Sequence, residues 1–166
     1  LVANPNCSTI ILLMAVAPLH RLVRVTRVIV ATYQSVSGAG TRAMAQLYHE
    51  TGRALRRCRI GRASCRVNPR VGPTAGRVVP RQIAFNMVPQ VDVFFPNRYT
   101  REEMKMVHET RKILESPDLA ISATCVRVPV FVSHSEAVWI ETRRPLSVTR
   151  ALSCLRGAPG VKVVDS

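Results

Sequence analysis

The chain has 166 residues, 47% of them hydrophobic, and a formal net charge of +14. That length suits one domain with a buried core, and that composition excludes disorder over most of it. The charge is local: nine of the 21 Arg fall between Thr51 and Arg81, a stretch without Asp or Glu, so it is weak support for a nucleic-acid partner.

In chain order, Leu1-Val2-Ala3 reads as the end of a buried strand, and the start at Leu1 rather than Met sets the expectation of a natural start upstream. Asn4-Pro5-Asn6 is a turn, because Pro fixes its own φ and biases its predecessor away from helix. Cys7 to about Ala17 reads as a buried helix that Asn6 or Ser8 is able to cap, with Pro18 near its end. The apolar stretch Ile10–Ala17 is far short of the ~18–20 residues that span a bilayer. No basic n-region precedes it, which leaves a cytoplasmic location as the expectation.

Arg27–Tyr33 is a β-branched run and predicts a strand. Gln34–Gly40 is a loop of small residues, and Thr41 to about Leu55 has helical composition. An Arg-rich stretch at about 51–79, irregular above all over Arg56–Arg77, reads as a solvated insertion punctuated by Gly and Pro. Ile83–Val88 and Val91–Phe95 look like short strands around Pro89. Thr100-Arg-Glu-Glu103 is a capping box opening the clearest helix, along which Met104, Val107, Arg111 and Leu114 follow helical spacing until Pro117. Ser122–Thr142 is strand-rich, broken at Pro129 and at Ser133–Ser135. Leu146–Leu155 predicts a helix with Gly157 beyond it, and Val161–Val164 a last strand. Strands and helices without strict alternation point to an α+β sheet domain.

Five cysteines, an odd number with no CxxC spacing, argue against a disulfide framework and a structural zinc site. No metal is expected, and one reactive thiol is the better prospect. Cys7 stands where a turn meets a helix N-terminus, whose free N–H groups and partial positive charge favour a thiolate and are able to hold an oxyanion. The alternative is a small buried residue, since free Cys is commonly buried.

Asn4-Pro-Asn-Cys-Ser-Thr9 resembles the nucleophile motif of the aspartate-semialdehyde dehydrogenases. Thr32-Tyr-Gln-Ser-Val-Ser-Gly-Ala-Gly40, Gln82-Ile-Ala-Phe-Asn86, Tyr99–Met106 and Ser122–Val130 follow in that family's order. The resemblance covers about Leu1–Glu50 and Pro80–Ser166 and fails across Thr51–Val79. It implies residues 1–166 as a catalytic and dimerisation domain, a fragment inactive alone, whose upstream NADP-binding domain and C-terminal segment are missing. The implied fold is a mixed, largely antiparallel sheet with helices on one face, like the catalytic domain of glyceraldehyde-3-phosphate-dehydrogenase-like enzymes. The implied activity is NADP-dependent interconversion of L-aspartate 4-semialdehyde plus phosphate and L-4-aspartyl phosphate, in lysine, methionine and threonine synthesis. A homodimer or homotetramer is implied, with no membrane and no nucleic acid.

The resemblance also implies roles. Cys7 is the nucleophile, Gln34 orients the acyl group, and His134 is the acid/base. Arg127 clamps the substrate carboxylate, Glu102 and Asn6 lie at the substrate, and Lys105 lies near phosphate. Ser37 and Gly38 approach NADP, although no GxGxxG loop is present to hold its pyrophosphate. From pattern alone the bland alternatives stand: Gln34 as a loop residue, Arg127 on an edge strand, His134 solvated, Glu102 and Lys105 as a surface i,i+3 pair. Arg127 and His134 are seven apart, so an unbroken strand points them to opposite faces and the chain must bend between them. The chain departs from the family at Ser133, usually Gly, at Arg81, often His, and at His108, often Asn. Two rivals remain: an Arg-rich nucleic-acid module, whose affinity would fall steeply with salt, and a related dehydrogenase of another amino-acid semialdehyde.

Overall fold

A computed structural model of the chain describes residues 2–57 and 78–164. Cys58, Cys65 and the rest of residues 58–77 of the predicted Arg-rich insertion lie outside the described residues, while residues 51–57 continue a helix rather than irregular chain. Among the described residues three strands, β1 (Val25–Gln34), β2 (Ala120–Arg127) and β3 (Ser135–Thr142), form one mixed sheet in the order β2-β1-β3. Central β1 runs parallel to β2, with Gln34 opposite Arg127, and antiparallel to β3, with Thr32 opposite Glu136. Along β1 the alternation predicted for a strand appears as Val28, Val30, Thr32 and Gln34 buried on one face. The α+β expectation holds.

Among the described residues four α-helices accompany the sheet: α1 (Cys7–Val23), α2 (Thr41–Arg57), α3 (Arg101–Ile113) and α4 (Val148–Arg156). Leu12 and Val16 of α1, Met106 of α3 and Val28, Val30, Ala123 and Cys125 of the sheet make one core cluster. Each large apolar side chain buried this way contributes about 1.5–3 kcal/mol. A second cluster joins Val36, Leu47, Ile83 and Val88. The chain returning from the Arg-rich stretch is tied to α2 by polar bonds: Gln46 Oε1 accepts from the N–H of Val78 and Val79, and Glu50 Oε2 from that of Ile83.

The capping box is present as predicted, with Thr100 Oγ1 accepting from Glu103 N and Glu103 Oε2 from Thr100 N. Other expectations are corrected. Helix α1 does not end near Pro18 but continues to Val23, because Leu19 and Val23 extend the buried face of Leu12 and Val16 and offset the one bond Pro18 removes. Ile83–Val88 and Val91–Phe95 are not strands. Positive φ at Phe85 and Asp92, with Pro89 between, breaks both runs, and isolated bridges Val88–Arg127 and Phe94–Thr100 are what remains. Val161–Val164 forms no strand among the described residues, and Val2 is 99% exposed rather than the end of a buried strand. The inner face of α3 is Glu103, Met106, Val107 and Thr110, turned from the predicted Met104–Arg111 stripe because the capping carboxylate Glu103 points inward.

Candidate active site

The ends of four elements converge. Asn6 caps α1, its Oδ1 accepting from the N–H of Ser8 at 2.9 Å and of Thr9 at 3.2 Å. That places Cys7 on the first turn with its side chain exposed. Strands β1 and β2, parallel and in register, bring Gln34 and Arg127 side by side at their C-terminal ends. The N-terminal half of α3 supplies Glu102 and, one turn on, Lys105. These residues and Gly38 line a cavity of about 530 Å³, whose far wall is residues 78–80 and 90–93.

His134 arrives from the loop between β2 and β3. Its Nε2 lies 3.3 Å from Cys7 Sγ. The bend required between Arg127 and His134 exists: Val130 and Phe131 carbonyls accept from the N–H of Val36 and Ser37, and Ser133 sits at φ 75°. That left-handed conformation costs a residue with a Cβ about 1–2 kcal/mol, which is the physical reason Gly suits this position. At Gly38 the constraint is close approach. A Cβ there would stand 3.3 Å from Arg127 Nη1 and 3.4 Å from His134 Nε2.

Glu102 is the hub of a hydrogen-bond network on the other side of the cavity. Its Oε1 accepts from Asn6 Nδ2 at 2.9 Å and from Gln34 Nε2 at 3.1 Å, while Lys105 Nζ stands 4.0 Å from Oε2. The pair is therefore not a solvated surface bridge, because Glu102 is buried in a network. Gln34 is 1% exposed and also donates to Ser8 Oγ. Arg127 is 8% exposed, donates to the Ser35 carbonyl at 2.6 Å, and has no carboxylate within ion-pair distance among the described residues. Burial holds its guanidinium below the usual value, with Glu102 pulling the other way. A desolvated cation at the wall of a cavity is a place for an anion. Burial likewise holds His134 below the ordinary histidine value. The Ser133 backbone opposes this, Arg127 adds to it, and Glu102 opposes it; a ring that is largely neutral is poised to exchange a proton.

All of the residues singled out in the sequence thus fall in one place, Ser37 included through its neighbour Ser35, whose Oγ is 2.9 Å from Ser37 Oγ. Three participants escaped sequence reasoning. Ser8 fixes Gln34, Ser35 touches His134, and Glu109 Oε2 accepts from Asn6 N at 2.7 Å. Glu109 was findable, being seven residues from Glu102 on the same helix face.

A family model described as semialdehyde dehydrogenase, dimerisation domain, matches residues 16–166. The chain belongs to this semialdehyde dehydrogenase family. It is 47% identical over 166 residues to the aspartate-semialdehyde dehydrogenase of Legionella pneumophila, covering 100% of this chain and 44% of the relative. The aspartate-semialdehyde dehydrogenase of Aquifex aeolicus is 44% identical, with 100% and 45% covered. Among solved structures, aspartate semialdehyde dehydrogenase II of Vibrio cholerae, complexed with ASA, superposes with a TM-score of 0.84 at 42% identity, over 96% of this chain and 43% of that one. The chain spans under half the length of the relatives it matches. Among the described residues no group of three or more His, Cys, Asp or Glu is placed to hold a metal, and no helix is long and apolar enough to cross a membrane.

Proposed function

We propose that this chain is the catalytic and dimerisation domain of a cytoplasmic, NADP-dependent enzyme that interconverts L-aspartate 4-semialdehyde plus phosphate and L-4-aspartyl phosphate. The observation that carries the reading is the Cys7 sulfur 3.3 Å from the His134 ring at the edge of a cavity walled by buried Arg127. Likeness to aspartate-semialdehyde dehydrogenases, one of them complexed with ASA, supports the choice of substrate.

Arg127 holds the substrate α-carboxylate, and Glu102 faces the α-ammonium group. Cys7 sulfur adds to the aldehyde carbon, and the oxygen of the adduct takes a proton held at His134 Nε2. The adduct becomes a thioester at Cys7 as its oxygen returns that proton to His134 Nε2, with Gln34 positioning the acyl group. Phosphate, drawn by Lys105, then displaces the sulfur and releases the acyl phosphate. When bound, NADP supplies the hydride acceptor for the oxidation. The small residues Gly38 and Ala39 at the cavity wall fit its close approach, with Ser37 beside them, because any Cβ at Gly38 crowds the Arg127 and His134 side chains. The association we infer is a homodimer or homotetramer.

The test is kinetic, on the full-length protein. Arg127→Lys should raise KM for the semialdehyde by about tenfold or more, because an ammonium cannot reproduce a two-point contact with a carboxylate. His134→Asn should lower kcat by about a hundredfold with a smaller change in KM. If Arg127→Lys leaves KM unchanged while His134→Asn raises it strongly, the assigned roles are wrong.

A further inference from the structure

Ser35 follows Gln34 and precedes the 3₁₀ turn Val36–Ala39. It sits at the N-cap, where a Ser hydroxyl ordinarily accepts from a backbone N–H of the turn, yet its side chain makes no capping bond. The hydroxyl is turned instead to His134, with Oγ 3.0 Å from Nδ1 and 2.9 Å from Ser37 Oγ. The backbone N–H of Ser35 also points at Nδ1, at 3.1 Å. Ser35 itself is fully buried.

These contacts restrict the proton on His134. A backbone N–H can only donate, so where it bonds Nδ1 the neutral ring carries its proton on Nε2, the nitrogen facing Cys7. A ring in that tautomer cannot accept the thiol proton. To act as base, and then as acid to the substrate oxygen, His134 must carry a proton on Nδ1, and that N–H needs an acceptor. The Ser35 hydroxyl is amphoteric and close enough to be one, while its own proton turns to Ser37 Oγ. The chain Nδ1, Ser35 Oγ, Ser37 Oγ therefore satisfies either direction of donation at the distances found.

We infer that Ser35 is a positioning residue whose hydroxyl switches His134 between its two ring-proton states, while its carbonyl anchors Arg127. The inference rests on the role of His134 in the proposed reaction, but its geometry stands apart from turnover. No net reaction is added: one proton moves from Cys7 sulfur to Nε2 as the Nδ1 proton is held by Ser35, and it leaves Nε2 for the substrate oxygen. The other groups facing the ring are Cys7 from α1, Arg127 from β2, Glu102 from α3 and the preceding Ser133 backbone. Replacing Ser35 alters none of them directly.

The test is the titration of the His134 ring nitrogens by nitrogen NMR, in the full-length protein labelled at histidine and assigned with His134→Asn. Ser35→Ala removes one buried hydroxyl and keeps the N–H that favours the neutral ring. The titration midpoint of His134 should fall, and its neutral form should shift wholly to the Nε2–H tautomer. Ser35→Thr should restore the wild-type midpoint. In turnover, Ser35→Ala should lower kcat about tenfold with KM changed less, and move the acid limb of the pH profile with the NMR midpoint. An unchanged midpoint and tautomer in folded Ser35→Ala overturns the inference. Should that variant fail to fold, the wild type still decides: below its midpoint the Nδ1 proton should exchange slowly with water, as a buried bond to Ser35 requires, and free exchange overturns the proposal. Failure of the proposed activity would leave these NMR outcomes readable.

Discussion

Glu136 shows how much a single residue on this scaffold depends on its surroundings. It stands opposite Thr32 on β3 with both carboxylate oxygens buried and unpartnered among the described residues, and burial pushes it up to about 7. Its folded value lies above its ordinary value of 4.5, so the folded state holds a proton that the unfolded state has released. Stability from this residue is therefore fully present below about pH 4.5 and declines as pH rises through about 7. His134, held low by burial, changes stability in the opposite direction with pH, so the difference between variant and wild type isolates Glu136. Glu136→Gln should be more stable than wild type at pH 8 by on the order of 1 kcal/mol, discounted for its partial exposure, and equal to it near pH 4. Thermal melts at both pH values check this, and a difference that does not vary with pH would refute it. The cysteines differ for the same reason. Cys125 is buried against Met106 and pushed up to about 12, whereas Cys7 is exposed on a helix N-terminus.

At the scale of elements, most of what positions the site was legible before any coordinates. The Thr100–Glu103 box marked the start of α3 to the residue, because its two reciprocal bonds are local in sequence. The turn at Asn6 marked Cys7 as the first residue of α1 for the same reason. What failed depended on distant partners. Ile83–Val88 looks like a strand, but among the described residues the edge strand β2 pairs only with Val88 of that run, and Glu50 of α2 satisfies the N–H groups of Ile83 and Ala84 instead. Pro18 looked like a stop, yet burial of Leu19 and Val23 carries the helix past it. The residues that meet at the cavity were singled out through block order resembling a family, and not through spacing. Nothing local in sequence says that Arg127 and His134 meet across a bend at Ser133, or that the Ser35 hydroxyl abandons its cap.

For the whole molecule, one face of the sheet is covered by α1 and α3, and the other carries Ile29, Tyr33 and Trp139 exposed, with Trp139 directly opposite Ile29. An aromatic and apolar sheet face of this kind in a dimerisation-domain family suits a second copy of the chain. Trp139→Arg should shift the full-length protein toward monomer in light scattering at micromolar concentration, while the Cys7–His134 site on the far side keeps its geometry; an unchanged mass would place the contact elsewhere.

The central claim is that Cys7 carries the acyl group. It is tested most directly by mixing the full-length protein with NADP and L-aspartate 4-semialdehyde without phosphate, quenching in acid, and mapping the peptides by mass spectrometry. The account predicts one aspartyl group on the peptide containing Cys7, discharged when phosphate is added, and absent in an inactive Cys7→Ala variant. Turnover with phosphate by Cys7→Ala, or an acyl group on Cys125, Cys154 or another residue in place of Cys7, would contradict it.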